Sequence, residues 1–533
     1  MAVSIDEQPI IKRLVTAGNN DVYYEDLDVA AGTMTELDTS SGAIDTSDQL
    51  TMVSAFQKVF IANGANLKVA DFINTKLTIT ALTTAPTRGT IVTQVTSGAT
   101  MIVDFVNTAK TEIYGYVTSG TFTTTAGHTL SGGSMDPTTR VPSAVTANPH
   151  WYDWTVYPDG SSGAMPEKAY LVFVYRGRVG LSGNPQYPNQ WYMPEVGNPF
   201  NWLYGADNPM SAVAGNNADA GQCPDIVRST ISFHDDYMIF GGASTIWILR
   251  GDPVAGGSLD NLSDTTGMFG ANSWCFDDSR NLYFWGSGGL YELKSDMSSI
   301  RNLTEMVLPD IINDEAADPS THRITMGYDK KRHGIVVAIT VLATGVNSNY
   351  FYSFKTKGFY PESYPNECGP YSIFYYDAND TTFADLLLGS KDGYIRKFLT
   401  SAKNDDIGGS DTAISSYVTY PITPLSQVED QNGKLTELVF DLSGGAAGGD
   451  AGDTDGVTYE LHKGNDAETV LEDIVDGATA FLSETLSGTG RKNKIKPRMK
   501  GAYWGLKLFN STASETWAIN RVLYGTIKAG KVR

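Results

Sequence analysis

Paired aspartates are the side chains of this sequence whose type and spacing best fit catalysis. Asp235-Asp236 and Asp277-Asp278 stand at equivalent positions in two successive, similar segments. Two carboxylates beside a glycosidic bond can serve as general acid and as nucleophile or base, and some β-propeller enzymes hold such a pair at the propeller centre. Aspartate also caps and tightens β-turns, and recurrence in a repeat favours that role, because catalytic carboxylates act as unlike partners. The sequence therefore predicts turn-forming aspartates and no catalytic residue.

Cysteine and histidine are scarce and scattered, which disfavours metal chemistry. The three cysteines lie 52 and 93 residues apart without a CxxC pair, and no histidines form an HxxxH or HExxH pattern. We predict isolated buried thiols, no disulfide framework, no metal site and no cofactor. A Ser-His-Asp triad stays open, because its members need not be close in sequence, although no G-x-S-x-G elbow is present. The residues concerned are Cys223, Cys275, Cys368, His128, His150, His234, His322, His333 and His462.

The acidic segment 450–456 resembles part of a calcium-binding loop. With Gly456 at loop position 6, Asp453 and Asp455 fall at positions 3 and 5. Alanine and histidine then stand at positions 1 and 12, where an EF-hand loop needs its strongest carboxylate ligands. The segment is predicted to be a solvated acidic turn, with adventitious binding of a divalent cation as the alternative.

An aromatic run between residues 191 and 202 supplies candidate binding side chains. Tryptophan and tyrosine in a Pro/Gly frame can stack on sugars or become buried at protein interfaces. Packing between neighbouring sheets of the same chain is the alternative explanation. The candidates for an interface or a carbohydrate-stacking surface are Trp191, Tyr192, Phe200 and Trp202.

Short strands separated by Gly, Asn, Asp and Ser turns dominate the chain, and four stretches share one plan of strand, acidic turn, strand, glycine turn and strand. Their turn aspartates, Asp235, Asp277, Asp329 and Asp377, are separated by 42, 52 and 48 residues. Propeller blades repeat at about 40–50 residues. Two earlier segments, 53–72 and 170–193, fit the same plan, so the pattern predicts a β-propeller of about six degenerate blades.

Two regions depart from this period and define the predicted domains. Residues 76–140 are rich in Thr, Ser and Gly and are expected to form a small inserted β-module. From about residue 413 onward, apolar residues alternate with polar ones, which favours a C-terminal β-sandwich. The fold class is therefore all-β, with N-terminal strands and a first blade in 1–75, the insert in 76–140, the propeller in 141–412 and the sandwich in 413–533.

The charge composition of the chain argues against two classes of function. The 533 residues include 60 acidic and 39 basic side chains, for a net charge of −21. This excess argues against wrapping nucleic acid or adsorbing to an anionic membrane, because both need clustered Lys and Arg. The start of the sequence shows no basic and then apolar secretory signal, and the longest apolar stretch, 334–346, is too short to span a bilayer. We therefore expect synthesis in a cytoplasm.

Several segments resemble a pattern found in virion proteins of tailed phages, namely the tail nozzle or packaged-DNA stabilisation family of short-tailed phages. The resemblance is best over about 165–300, weaker over 301–410 and slight at both ends. The segments are Arg176-Gly-Arg-Val-Gly-Leu-Ser-Gly-Asn-Pro, Gln190-Trp-Tyr-Met-Pro-Glu-Val-Gly-Asn-Pro-Phe-Asn-Trp, Cys223-Pro-Asp-Ile-Val, Tyr237-Met-Ile-Phe-Gly, Thr245-Ile-Trp-Ile-Leu-Arg-Gly-Asp, Ser287-Gly-Gly-Leu-Tyr, Trp517-Ala-Ile-Asn-Arg-Val-Leu-Tyr-Gly and Ala529-Gly-Lys.

The resemblance implies a non-enzymatic propeller that forms a homohexameric ring below the portal and adaptor of a virion. Such a ring retains packaged DNA and later serves as the conduit for ejection, alongside other tail proteins. It implies no catalytic residue and no specific DNA binding, and an acidic lumen would repel phosphate. Two alternatives remain: a glycan-binding or glycan-hydrolysing propeller of a receptor-binding tail protein, and a minor tail-tip protein of a longer-tailed phage. The chain departs from the family in its modest length and in the insert at 76–140.

Overall fold

Antiparallel hairpins make up nearly all of the regular structure. The computed structural model describes residues 1–5, 11–25, 34–37, 44–45, 49–135, 140–157, 163–205, 208–399, 401–427, 431–443, 456–486 and 493–531. The chain divides into two units, one of Met1–Glu362 with Cys368–Lys397 and one of Ser363–Glu367 with Phe398–Arg533. The first unit holds seven small sheets, called blades 1–7 below, and one six-stranded sheet.

Blade 1 is the N-terminal sheet, and its strands pair in chain order. They are β1 (Ala2–Ile5), β2 (Ile11–Gly18), β3 (Asp21–Glu25) and β4 (Met34–Glu36). Each later blade follows the same meander, in which every strand pairs antiparallel with the next. Hairpins suit such a sheet because two or three turn residues reverse the chain between neighbouring strands.

Blade 2 is interrupted by the inserted β-module. After β5 (Thr51–Ala55), β6 (Lys58–Ala62) and β7 (Leu67–Asp71), the chain forms a six-stranded antiparallel sheet and then returns as β14 (His150–Asp153), which pairs with β7. The inserted sheet has the order β12-β9-β10-β11-β8-β13. Its strands are β8 (Thr75–Thr78), β9 (Ile91–Gln94), β10 (Thr100–Val106), β11 (Glu112–Ser119), β12 (Leu130–Gly132) and β13 (Ala144–Thr146).

Blades 3 to 7 complete the propeller, and helix α1 (Ile311–Glu315) lies in the connection between blades 5 and 6. Blade 3 is β15 (Leu171–Tyr175), β16 (Arg178–Ser182), β17 (Trp191–Met193) and β18 (Val213–Ala214); blade 4 is β19 (Val227–His234), β20 (Tyr237–Gly242), β21 (Ile246–Arg250) and β22 (Ser258–Ser263); blade 5 is β23 (Trp274–Phe276), β24 (Leu282–Gly286), β25 (Gly289–Leu293) and β26 (Ile300–Asn302); blade 6 is β27 (His322–Asp329), β28 (Gly334–Val341), β29 (Asn347–Ser353) and β30 (Phe359–Glu362); blade 7 is β31 (Pro370–Tyr376), β32 (Asp385–Ser390) and β33 (Ile395–Lys397).

The predicted all-β class, with a propeller, an inserted β-module and a C-terminal β-sandwich, is confirmed. The four turn aspartates used to align the repeat all stand at the first hairpin of a blade, in blades 4, 5, 6 and 7. The expected number of about six blades differs from the seven in the described residues. The additional sheet is blade 1, which is not among the six segments matched to the repeat.

The second strand of most blades is buried along nearly its whole length. β6, β16 and β24 are buried at every residue, and β28 is buried at all but its last. Hydrophobic clusters span neighbouring blades, such as the one that joins Phe284 of blade 5 to Ile239 of blade 4. A strand covered on both faces needs a continuous apolar run, which is why Ile335, Val336 and Val337 follow one another without alternation.

Blade 7 meets blade 1 through a buried hydrogen bond that closes the ring. Tyr376 Oη donates to Glu25 Oε2 at 2.6 Å and to the Lys12 carbonyl oxygen at 3.1 Å. Lys12 Nζ also lies 2.8 Å from Asp377 Oδ2. Burial and the Glu25 carboxylate raise the pKa of the Tyr376 hydroxyl, so it stays a donor at neutral pH. The N-terminal and last sheets are thus joined by contacts between side chains.

A buried charge network attaches the insert to blade 2. Lys58 Nζ lies 2.8 Å from Asp104 Oδ2 of the insert and 3.8 Å from Asp71 Oδ2 of β7. Asn74 Nδ2 donates to Asp71 Oδ2 and to Asp104 Oδ2, each at 2.9 Å. Aromatic packing adds to this attachment, because Phe105 of β10 lies in the cluster shared by blades 2 and 3. The insert therefore has its own core and a second, polar contact with the propeller.

The second unit contains a two-sheet sandwich. Its elements are β34 (Asn404–Ile407), β35 (Ser410–Ala413), β36 (Ser416–Thr419), β37 (Thr423–Pro424), β38 (Gln431–Leu442), β39 (Val457–Gly464), α2 (Ala467–Val475), β40 (Leu482–Leu486), β41 (Asn493–Ile495), β42 (Met499–Gly501), β43 (Tyr503–Asn510) and β44 (Ile519–Lys531). One sheet has the order β36-β43-β39-β40, and β37 also pairs with β43. In the other sheet, β38 pairs with β44 along one edge and with β41 and then β42 along its other edge. Alternate residues of β38, such as Leu438 and Phe440, meet Leu506 and Leu508 of the facing sheet.

Removing the ring-closing hydroxyl should loosen the propeller. We expect Tyr376→Phe to lower the free energy of unfolding by about 1–3 kcal/mol, because the buried Glu25 carboxylate loses a donor. Tyr394→Phe, at a side chain that is 59% exposed, is the matched control and should change stability by less than about 0.5 kcal/mol. Equal unfolding midpoints in urea for both variants would contradict closure through this bond.

The Lys58 network predicts an acid-sensitive attachment of the insert. Burial raises the pKa of Asp104 but is outweighed by Lys58 and the donated hydrogen bonds, so the pKa lies below its usual value. The stabilisation is therefore complete above the unfolded pKa of about 4 and is lost as the pH falls through the lower folded value. Lys58→Met should cost about 3–5 kcal/mol at pH 7, and less in acid.

Arg88→Met provides the control for the Lys58 variant. Arg88 reaches the same Asp104 carboxylate at 3.2 Å from a side chain that is 44% exposed, so its loss should cost at most about 1 kcal/mol. Urea unfolding of both variants at pH 7 and pH 3.5 makes the comparison. A pH-independent difference between Lys58→Met and the parent would show that the ion pair is not the source of the effect.

Candidate functional site

The aromatic run at 191–202 lies mostly inside the fold. Trp191 and Trp202 are fully buried and Phe200 is 5% exposed, while Tyr192 is partly buried. A ring that stacks on a sugar needs a face open to solvent, and the first three residues have none. The burial of Trp191, Phe200 and Trp202 therefore corrects the expectation of an interface or carbohydrate-stacking surface at these three positions and agrees with the packing alternative, while Tyr192 stays a prediction.

A single carbonyl oxygen organises this segment. Trp202 Nε1 and Trp154 Nε1 both donate to the Pro199 carbonyl oxygen, at 3.1 and 3.0 Å. Phe200 stacks on Phe105 of the insert, with ring centroids 4.0 Å apart. The segment thus joins blades 2 and 3 and the insert in one aromatic cluster, which explains its concentration of large rings.

Arg178, in the segment that carries the resemblance, holds the same loop. It is 1% exposed, and its guanidinium donates to the carbonyl oxygens of Pro194, Ser211 and Pro209 at 2.6, 2.5 and 2.7 Å. Burial lowers the pKa of Arg178, although the Asp252 and Glu195 carboxylates oppose that shift. Its planar set of donors fits three carbonyl oxygens, which a lysine ammonium cannot satisfy with the same geometry. Arg178 therefore holds the loop between the last two strands of blade 3 in place.

The first-hairpin aspartates differ in their hydrogen bonds. Asp277 Oδ1 accepts the backbone N–H groups of Ser279 and Asn281, each at 2.8 Å. Asp329 Oδ1 likewise accepts the backbone N–H groups two and three residues later. These contacts match the turn-forming role predicted from the repeat. By contrast, Asp278 accepts from the Tyr328 hydroxyl and Asp236 from the Arg176 guanidinium, both in neighbouring blades.

The three cysteines are free and buried, as predicted from their spacing. Burial raises the pKa of Cys223 to about 11, so its thiol is protonated and unreactive at neutral pH. Within the described ranges, no group of three or more His, Cys, Asp or Glu side chains is placed to hold a metal ion. The calcium-like positions Asp453 and Asp455 lie outside the described residues.

An exposed apolar loop follows blade 5 and was not expected from the sequence. Met306 is 89% exposed and Val307 is 51% exposed, and Ile312 of α1, also partly exposed, lies a few residues later. The loop borders a surface cleft of about 380 Å³ that Tyr352 and Lys357 line from the other side. The apolar residues Met306, Val307, Ile311 and Ile312 predict a helix over 304–317, but the helix begins only at Ile311, which leaves Met306 and Val307 in the loop before it.

A second, more apolar cleft of about 220 Å³ opens between the two sheets of the sandwich. Trp504 lies at its wall, 4% exposed, and its indole N–H has no hydrogen-bond acceptor among the residues that the structure describes. The sequence signal for this region is a local reversal of charge, because six of the ten residues 491–500 are Lys or Arg in a chain of net charge −21.

The described part of the chain contains no helix long and apolar enough to cross a membrane. The fold defines the chain as a β-propeller protein with an inserted module and a β-sandwich. No protein-family model matches it, and neither does any curated protein.

Solved structures with some similarity include proteins of the bacterium Bacteroides thetaiotaomicron. The extracellular domain of a putative one-component system is 9% identical, over 97% of this chain and 85% of that one, with a TM-score of 0.19. A quinoprotein alcohol dehydrogenase-like protein is 11% identical, over 64% and 75%, with a TM-score of 0.24. An oligogalacturonate lyase in complex with manganese is 8% identical, over 63% and 89%, with a TM-score of 0.23. Similarity this low carries no conclusion about activity.

Replacing the buried guanidinium should disturb blade 3. We expect Arg178→Lys to lower the free energy of unfolding by about 2–3 kcal/mol, because at least one buried carbonyl oxygen loses a charged donor. Arg176→Lys, two residues earlier at a partly exposed side chain, should change it by less than about 1 kcal/mol. Equal thermal stability of the two variants would show that the loop does not depend on Arg178.

Proposed function

We propose that this chain is a structural subunit of a tailed-phage virion. Copies of it form a homo-oligomeric ring, a hexamer in the family it resembles, at the tail nozzle or head–tail junction. The ring retains packaged DNA and later lets it pass during ejection, in contact with the portal-adaptor and other tail proteins. In this function the chain is not an enzyme, and DNA passes without specific binding.

The observation that carries this proposal is the apolar loop after blade 5. A methionine that is 89% exposed beside an exposed valine is unfavourable in water and suits a surface that another protein covers. Because the loop leaves the last strand of a blade, it stands where neighbouring propellers in a ring can meet. A ring interface of this kind needs an apolar centre and about 800 Å² from each partner.

Two further features support the same function. One of the segments that resemble the nozzle family forms a loop held by buried hydrogen bonds. Arg178 donates to its Pro194 carbonyl oxygen, and its Pro199 carbonyl oxygen accepts from Trp154. Stiff construction suits a component that must withstand the pressure of packaged DNA. The net charge of −21, repeated in every copy of a ring, would repel phosphate and keep DNA from adhering during passage.

Electron microscopy of the purified full chain and of virions tests the proposal. We expect closed rings, six-fold by the resemblance, and the same rings at the tail of the particle. A chain that stays monomeric at micromolar concentration, is absent from virions and cleaves a polysaccharide would overturn the proposal in favour of the glycan-hydrolysing alternative.

The loop itself is tested by a matched pair of variants. Met306→Glu should weaken ring association by about tenfold or more for each interface, because a buried methionine side chain contributes about 1.5–3 kcal/mol. Met210→Glu, at another methionine that is 51% exposed, is the control and should leave association unchanged. Sedimentation velocity over a concentration series measures both, and equal association of the two variants would exclude the loop from the interface.

A further inference from the structure

One sheet of the sandwich ends in a long strand with an unpaired edge. β44 is 13 residues long, and in the described ranges its only strand partner is β38, to which it pairs along nearly its full length. Its other edge presents backbone N–H and C=O groups to the surroundings. Such an edge is a template for another strand unless it is short, bulged or covered. The register shifts that leave an extra residue in β44 lie near its two ends, opposite Asn432–Gly433 and Asp441–Leu442, so residues 521–528 form an edge without a bulge in β44.

The inner side of this edge opens into the cleft between the sheets. Val522 and Tyr524 of β44 face Trp504 and Leu506 of β43 across it, and Tyr420 and Pro421 line its mouth. The Tyr524 and Trp504 rings meet edge to face, with centroids 5.3 Å apart. The Trp504 indole N–H is buried here without an acceptor in the described residues. A buried donor of this kind destabilises the free subunit and gains an acceptor if a carbonyl oxygen enters the cleft.

The outer side of the same edge combines apolar and basic side chains. Leu523 and Ile527 are 49% and 55% exposed. Ile527 stands in register with Lys434 of β38, which in turn stands opposite Lys500 of β42. Like charges directly opposite each other destabilise a sheet, so this row favours an acidic partner. Nearer the other end of β38, Lys494 is already neutralised by Glu437 at 2.6 Å.

We propose that a second copy of this chain adds an extended strand to the free edge of β44. Its backbone pairs with β44, an apolar side chain enters the cleft, a carbonyl oxygen accepts from Trp504 Nε1, and carboxylates approach Lys434 and Lys500. This inference rests on the proposed function, since a ring of copies brings one subunit against the next, and it names a second contact surface besides the Met306 loop.

Charge complementarity favours a second copy as the occupant. The sheet that carries β44 has an excess of basic side chains, because its strands include Lys434, Lys494, Lys500, Arg521 and Lys528 against Glu437 and Asp441. The chain as a whole has a net charge of −21, so the surface of another copy is on average acidic. Duplex DNA is also anionic, but it has neither a strand backbone to pair with β44 nor an aliphatic side chain to fill the cleft.

Three variants of the full chain test the surface. Trp504→Phe keeps an aromatic ring in the cleft but removes the unpaired N–H together with one ring of the indole. It should lower the unfolding midpoint of the dissociated subunit, because Trp504 is buried in the sandwich core, and weaken association by about tenfold. Leu523→Glu should weaken association similarly or more. The control is Leu471→Glu on α2, which is also 49% exposed and should associate like the parent.

Hydrogen exchange of the parent protein supplies the second measurement. Backbone amides of β44 should become protected at concentrations where rings form and should exchange freely on dissociation. Rings that form normally with Trp504→Phe and Leu523→Glu, or with β44 unprotected, would overturn the strand addition while leaving the virion ring in place. A parent chain that never associates would overturn both, and retention of a DNA duplex by the basic sheet, lost in Lys434→Glu, would replace the second copy with nucleic acid.

Discussion

Most blades of this propeller depend on burial of their second strand from both sides. Strands such as β28, with Ile335 to Ala338 buried without alternation, have no face that water can cover. A sheet of this kind is stable only between two neighbours, so the first and last sheets must also find each other. Here the Tyr376–Glu25 hydrogen bond and the Lys12–Asp377 ion pair join them, although more than 350 residues separate the partners.

The segment that most resembles virion proteins is used for construction. Arg178 saturates three carbonyl oxygens of one loop, and two tryptophans share the Pro199 carbonyl oxygen. These side chains fix the junction of blades 2 and 3 with the insert. The residues that carry the resemblance stabilise the fold and do not form a catalytic or binding site. The proposed role in a virion is therefore supported by the rigidity of this junction and by the surfaces available for assembly.

The charge of one sheet is opposite in sign to the net charge of the chain. The overall excess of carboxylates suits a protein that does not hold DNA. In the sheet formed by β38, β41, β42 and β44 the sign reverses, and Lys434 and Lys500 face each other in adjacent strands. Opposite charge on two parts of one chain favours association between copies. The unpaired edge of β44 and the cleft beside it would determine where the second copy binds and how its strand is oriented.

The sequence by itself determined the all-β class, the turn aspartates at successive first hairpins, the buried free cysteines, the insert and the sandwich, because strand periodicity and turn chemistry are local. Only the tertiary structure decided that blade 1 joins blade 7, that Trp191 and Trp202 are buried, and that Met306 and the edge of β44 are exposed. A tryptophan or methionine reads the same in sequence whether it lies in a core or on a surface. Exposure depends on which distant segments pack against it, and local pattern does not contain that information.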